Sequence, residues 1–245
     1  MKSYIDLNAD VGEGIGNEVQ LMPFISSCNI ACGGHAGDYK TMKAVVELAK
    51  NHSVKIGAHP SFPDKESFGR KSIEMSCVAL YTSIKNQIKT LVKVLEETHM
   101  QLHHVKPHGA LYNLATVDEK IANVIVEVMK GMMLRAKLYV PYNSVIAKLA
   151  IENNVPIMYE AFADRNYNDD LTLVSRTENN AVIYDHNEMF NHVYQMLSSN
   201  TVKTISGNMK PILTETICVH GDNPKAIELI SNLSSKLKDK GIKVS

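Results

Sequence analysis

Seven short runs rich in apolar and β-branched residues punctuate the chain: Ser3 to Leu7, Cys28 to Cys32, Lys55 to Ala58, His103 to Lys106, Lys137 to Pro141, Pro156 to Ala161 and Thr216 to Val219. Between them lie longer segments of helical period, Tyr39 to Asn51, Cys77 to Thr98, Val117 to Met133, Ser144 to Asn153, Glu188 to Ser199 and Pro224 to Lys240. Short strands alternating with helices define β/α units around a mainly parallel sheet. Several of the longer segments repeat apolar residues at three- and four-residue spacing, and Ser76 or Asp118 is placed to cap a helix start.

At 245 residues the chain has the length of one β/α barrel. Pro, Gly and Ser are scattered, and neither a low-complexity run nor a fixed-period repeat interrupts the pattern, so a single β/α barrel domain over 1–245 is expected. The irregular stretch from Arg165 to Tyr184, where NYNDD and TENN flank LTLVS, reads as a hairpin-bearing excursion. The longer loop Pro60 to Ser72 is a candidate lid.

Charge narrows the partners. Twenty-six basic residues balance 26 acidic ones, a composition without the excess expected for nucleic acid or an anionic membrane, so small molecules or proteins are the expected partners. The N-terminal MKSYIDLNAD meets acidic residues before an apolar core of a signal peptide could form, and no run approaches the roughly 18 apolar residues of a spanning helix. A cytoplasmic location is therefore expected. Cys28, Cys32, Cys77 and Cys218 form no CxxC pair, which favours reduced thiols.

Polar residues collect just after the apolar runs. The first is followed by Asn8, Asp10 and Glu13; the second by Asn29, His35 and Asp38; the third by His59 and Asp64; the fourth by Lys106 and His108. EAFADR, which contains Glu160, ends the sixth, and CVHGD, with His220 and Asp222, ends the seventh. In a parallel β/α barrel all these ends open on one face, where sites are built. Four of the ten histidines, His35, His59, His108 and His220, share that location. By contrast, His52, His99, His103, His186 and His192 read as residues of helices or helix edges, and His104 as a packing residue.

Asp10 and Glu13 have two readings, helix-capping carboxylates or members of an acid/base or metal-ligand set with the histidines. Lys106, between Val105 and Pro107, suits binding of an anion or a developing oxyanion, and Arg70, Arg165 and Arg176 suit similar work or loop salt bridges. No GxxxxGK[ST] loop occurs, GEGIG does not match GxGxxG, and no GxSxG elbow is present.

DLNADVGEG, NIACGGHAGD, IGAHPSFPD with FGRK, HVKPHGALYN, EAFADRNY, LVSR and CVHGDNP, in this order over residues 5 to 224, together resemble the LamB/YcsF family, which includes the A subunits of bacterial ATP-dependent 5-oxoprolinases. The resemblance implies a TIM-like β/α barrel of the glycoside hydrolase/deacetylase type, with seven strands rather than eight. It further implies a hydrolase acting on the carbon–nitrogen bond of a cyclic amide: ring opening of 5-oxo-L-proline to L-glutamate, coupled to ATP hydrolysis through partner subunits B and C. Three positions depart from the family pattern: Gly34 where an aromatic residue is usual, Ser61 where glycine is common and Lys71 where arginine is common. Gly34 is expected to widen or loosen the pocket.

Chemistry then suggests roles. Asp10, Glu13, His35, His59, Lys106 and His108 are the catalytic candidates: the carboxylates with His35 and His59 to position or deprotonate water, Lys106 and His108 to stabilise an oxyanion or phosphoryl oxygens. Asn8, Asn29, Arg70, Tyr112, Glu160, Arg176, His220 and Asp222 are candidates for substrate binding. A divalent metal on Asp10, His35 and His59 is the alternative way to activate water. Two further functions stay open: a stand-alone metal-dependent deacetylase or amide hydrolase, and a non-catalytic subunit that binds 5-oxoproline.

Overall fold

The computed structural model describes residues 2–133, 135–221 and 225–245. In chain order, β1 (Tyr4–Val11) leads through α1 (Glu18–Leu21) to β2 (Ser27–Ala31), α2 (Tyr39–Asn51), β3 (Lys55–His59) and α3 (Cys77–Glu97). Next come β4 (Leu102–Val105), α4 (Gly109–Ala115), α5 (Glu119–Gly131), β5 (Lys137–Pro141), α6 (Val145–Glu152) and β6 (Ile157–Phe162). The chain finishes with α7 (His186–Ser199), β7 (Thr201–Lys203), β8 (Met209–Pro211), β9 (Thr216–Cys218), α8 (Ala226–Asp239) and β10 (Lys243–Val244).

Strands β1-β2-β3-β4-β5-β6-β9 pair in parallel, and β9 returns to β1 through Asp6↔Thr216 and Asn8↔Cys218, closing a seven-stranded barrel. Each expected strand is present within a few residues of its expected position. Strand β10 extends the sheet beside the start of β1, and β7 and β8 form a separate antiparallel pair; neither feature was apparent from the sequence. Both expected caps form: Ser76 Oγ accepts from Ala79 N at 3.2 Å and Asp118 Oδ1 from Ile121 N at 3.0 Å. The helices bury their apolar stripes against the outside of the barrel in one contiguous core that runs from Ile5 to Ile242.

Inside the barrel the alternate residues of each strand are largely polar, and hydrogen bonds take the place of an apolar filling. Asp6 Oδ2 accepts from Ser27 Oγ and Thr216 Oγ1, both at 2.6 Å. One layer up, Asn8 Nδ2 donates to Glu160 Oε1 at 2.9 Å, and Asn29 Nδ2 donates to Asn8 Oδ1 at 2.8 Å and Asp10 Oδ1 at 2.7 Å. His104 donates from Nε2 to Asn29 Oδ1 at 2.6 Å and stacks on Tyr139 with ring centroids 3.8 Å apart. Buried polar groups are tolerable when each finds such a partner. Gly57 makes the room: a Cβ there would lie 2.1 Å from His104 Nε2, at the point where the β3–β4 register shifts.

Several sequence expectations are corrected here. Strand β1 continues to Val11, so Asn8 and Asp10 belong to the strand and point into the barrel instead of following it. His103 lies on β4, in keeping with the strand run from His103 and against its reading as a helix-edge residue. Glu13 caps nothing; α1 begins at Glu18, whose own carboxylate accepts from Gly12 N. Gly34 does not widen a pocket, because a Cβ there would come within 2.4 Å of both Ser61 Oγ and Gln87 Oε1, which fill the space.

Candidate active site

The carboxyl ends of the barrel strands open into a cavity of about 370 Å³. Asp10, His59, Lys106 and His108 form its floor and one wall, and Phe162 and His220 also line it. The excursion after β6, held by isolated bridges Arg165↔Val182 and Tyr167↔Leu173, brings Ser175, Arg176 and Thr177 to the lip. Arg70, whose guanidinium lies over the Phe68 ring at 5.2 Å, and Tyr112 complete the expected lining. Among the other expected binding residues, Asn8 and Asn29 sit in the hydrogen-bonded layer below the floor. Glu160 lines a neighbouring cavity instead, and Asp222 lies outside the described residues.

Lys106 is fully buried at the floor. Its Nζ donates to Asp10 Oδ1 at 3.1 Å, Asn8 Oδ1 at 3.3 Å and Cys218 Sγ at 3.0 Å, and lies 3.0 Å from Glu160 Oε1. Burial opposes the ammonium, but Asp10, Cys218 and Glu160 outweigh it and hold Lys106 well above the ordinary lysine range. Burial likewise opposes the Asp10 carboxylate, yet His59 and Lys106 keep it well below the usual range. With two carboxylates already on it, Lys106 fixes Asp10 and balances charge. Asp10 Oδ2 faces His59 Nε2 at 3.4 Å.

Three imidazoles crowd around Glu13. His35 Nε2 lies 2.8 Å from Glu13 Oε1, and the His35 ring stacks on His108 with centroids 3.7 Å apart and planes 4° from parallel. His59 Nδ1 faces the Lys106 carbonyl at 2.7 Å, and His108 Nε2 faces the Phe68 carbonyl at 2.9 Å. Burial, with His59 and His35 adding to it, drives His108 far below the ordinary imidazole range, so it is neutral at pH 7. The loop Pro60 to Ser72, expected as a lid, is built into this wall: Phe68 supplies that carbonyl, and Ala110 N donates to Gly69 O at 2.9 Å.

Metal-ligating atoms converge in two places among the described residues: Glu13, His35, His59 and His108, and separately Asp10, Cys218 and His220. Two members of the second group, Asp10 and Cys218, already accept from the Lys106 ammonium. The first differs from the set expected from sequence by including Glu13 and His108 in place of Asp10.

His220 Nδ1 lies 3.0 Å from both oxygens of Asp164, and its ring stacks near Phe162 at 5.4 Å. Burial would raise the Asp164 carboxyl, but His220 outweighs burial and lowers it. Donation from Nδ1 leaves His220 Nε2 as the exchangeable nitrogen, the arrangement of an oriented acid/base histidine. Asp164 was not a sequence candidate, although EAFADR contains it; only the return of β9 beside β6 shows that it meets His220.

Fold and site together define a parallel β/α barrel with an acid/base cavity at the carboxyl ends of its strands. Residues 5–245 match the LamB/YcsF family, and the chain belongs to it. It is 42% identical over 230 residues to the 5-oxoprolinase A subunit of Bacillus cereus (strain AH820), covering 91% of each chain. A lactam utilization protein from Thermus thermophilus superposes with a TM-score of 0.93 at 33% identity, over 100% of this chain and 99% of that one. A family 4 carbohydrate esterase from Streptomyces lividans shares the fold alone, with a TM-score of 0.50 at 9% identity over 99% and 91% of the two chains.

Proposed function

We propose that this chain is the ring-opening component of an ATP-dependent 5-oxoprolinase, acting with partner subunits B and C on 5-oxo-L-proline to give L-glutamate. The observation that carries the reading is the cavity itself. Two oriented proton-handling groups, Asp10 and the His220–Asp164 pair, converge in one cavity at the strand ends, in a chain close in sequence to proteins named as A subunits.

A lactam carbonyl is a poor electrophile, and phosphorylation of its oxygen by ATP overcomes this. The partners supply that step, in keeping with the lack of a phosphate-binding loop in this sequence. The phosphorylated lactam then takes up one water at its carbonyl carbon. Asp10 Oδ2 orients that water beside His59 and takes its proton as the carbon–oxygen bond forms. His220 gives a proton to the ring nitrogen as the carbon–nitrogen bond breaks, leaving an acyl phosphate that a second water hydrolyses to glutamate and phosphate. Arg176 and Arg70 at the lip pair with the substrate carboxylate.

The test is reconstitution. Glutamate formation from 5-oxoproline should require this chain, both partners and ATP together. Glutamate formed by this chain alone without ATP would point to a stand-alone amide hydrolase. Full turnover with His220 and Asp10 both replaced would reduce the chain to a binding subunit.

A further inference from the structure

Beside Glu13, ligand-type atoms of two imidazoles and the carboxylate converge on one point. His59 Nδ1 faces the Lys106 carbonyl at 2.7 Å, so that nitrogen must bear the hydrogen. His108 Nε2 faces the Phe68 carbonyl at 2.9 Å and must do the same. With those hydrogens directed outward, the inner nitrogens, His59 Nε2 and His108 Nδ1, point at each other across 2.9 Å. Glu13 Oε1 points at the same spot, 3.4 Å from His108 Nδ1 and 3.9 Å from His59 Nε2. Two imidazole nitrogens and a carboxylate oxygen directed at one buried point need a proton or a metal ion between them.

We infer that Glu13, His59 and His108 hold a divalent cation of the zinc or cobalt type. Tetrahedral ligands about 2.0–2.1 Å from an ion stand about 3.4 Å apart. The observed separations of 2.9, 3.4 and 3.9 Å bracket that value. Both imidazoles have their outer nitrogens anchored to backbone carbonyls, the second contact that fixes ring orientation in histidine metal sites. Two nitrogens and one carboxylate oxygen suit borderline cations and leave a coordination position open. His35 is not a ligand of the same ion: its ring is parallel to His108 at 3.7 Å, and one ion cannot lie in both ring planes. Instead His35 donates to Glu13 and positions it. The inference deepens the ring-opening reading and rests on it for the role of the ion. His59 and His108 line the cavity beside Asp10, where a Lewis acid would polarise a carbonyl or phosphoryl oxygen.

The chelator-stripped chain, without ATP or partners, is titrated with Co²⁺ and then Zn²⁺. One equivalent of Co²⁺ should bind with visible ligand-field absorption, which Zn²⁺ abolishes. His59→Ala, His108→Ala and Glu13→Gln should each weaken binding by at least about 100-fold, and His35→Ala by about 10–100-fold, as for a positioning group. His186→Ala, in a surface pair with Glu228, should leave binding unchanged. Circular dichroism checks that each variant folds, and ¹⁵N imidazole shifts of the unmutated chain supply a readout independent of mutation. These shifts should show Zn²⁺ on His59 Nε2 and His108 Nδ1. Failure to bind near one equivalent at micromolar Co²⁺, absorption that survives in folded His59→Ala and His108→Ala, or an imidazolium shared by the pair in place of the ion would each overturn the inference. Because the titration needs no ATP or partners, its failure leaves the ring-opening reading intact. Lack of ring opening by a complex in which this chain binds one cation would overturn that reading alone.

Discussion

Gly57 shows how closely single residues are fitted in this barrel. The His104 ring occupies the space a Cβ would need, with the nearest ring atom 2.1 Å away, and both residues face a layer with no room to yield. Gly57→Ala should therefore destabilise the chain by about 1–3 kcal/mol, the usual cost of overpacking a core. His104→Ala should recover part of that loss in the double variant, because the clash is with that ring. Urea unfolding of the four proteins measures both effects; a neutral Gly57→Ala would mean that the ring is free to move. The sequence marks His104 only as a packing residue. Its fit against Gly57 depends on the β3–β4 register, which no local pattern carries.

At the scale of elements, much of the architecture was legible. Strand β5 and helix α2 fall where hydrophobic alternation and helical period place them, because each buries one side against neighbours supplied by the same repeating unit. The end of β1 was not legible. Asn8 and Asp10 look like loop residues since polar side chains rarely face a barrel interior, and only the closed network of Asn29, Lys106 and Glu160 makes that placement affordable. The short strands β7, β8 and β10, three, three and two residues long, carry too few residues for a period. The excursion from Arg165 to Tyr184 was recognised as irregular, but its use as the cavity lip was not. If Arg176 pairs there with the substrate carboxylate, Arg176→Ala should raise KM by roughly 10–100-fold, corresponding to the 1.5–3 kcal/mol of a hydrogen bond to a charged group, with a smaller change in kcat. Steady-state kinetics of the reconstituted complex would show this, and an unchanged KM would place the carboxylate elsewhere.

For the whole molecule, the buried imidazoles set an acid limit. Burial lowers His35, His103, His104 and His108, and it brings His192 down to about 4. In the unfolded chain each titrates near 6.5, so below about pH 6.5 the unfolded state takes up protons that the folded state refuses, and stability falls as pH falls. Asp10 and Asp164, lowered in the folded state, add a second loss only below about pH 4. Urea midpoints should therefore decline steadily from pH 7 to pH 5 and more steeply beneath pH 4. His192→Gln should flatten the slope between about pH 6.5 and about pH 4. Midpoints that hold constant from pH 7 to pH 5 would show that these imidazoles are protonated without penalty.

The clustering of His35, His59, His108 and His220 at strand ends was legible because a parallel barrel brings all those ends to one face. The pairing of His220 with Asp164 was not, since it depends on two strands 54 residues apart in sequence, β6 ending at Phe162 and β9 starting at Thr216, lying side by side. That pairing leads to the most direct test. In a single turnover of the reconstituted complex, ADP and glutamate are followed by rapid quench for the unmutated chain and for His220→Gln. If ring opening takes place here after phosphorylation by the partners, the variant still forms one equivalent of ADP, while glutamate appears about 10²–10⁴-fold more slowly. Glutamate formed at the unmutated rate, or ADP formation lost together with it, would contradict a ring-opening role for this site.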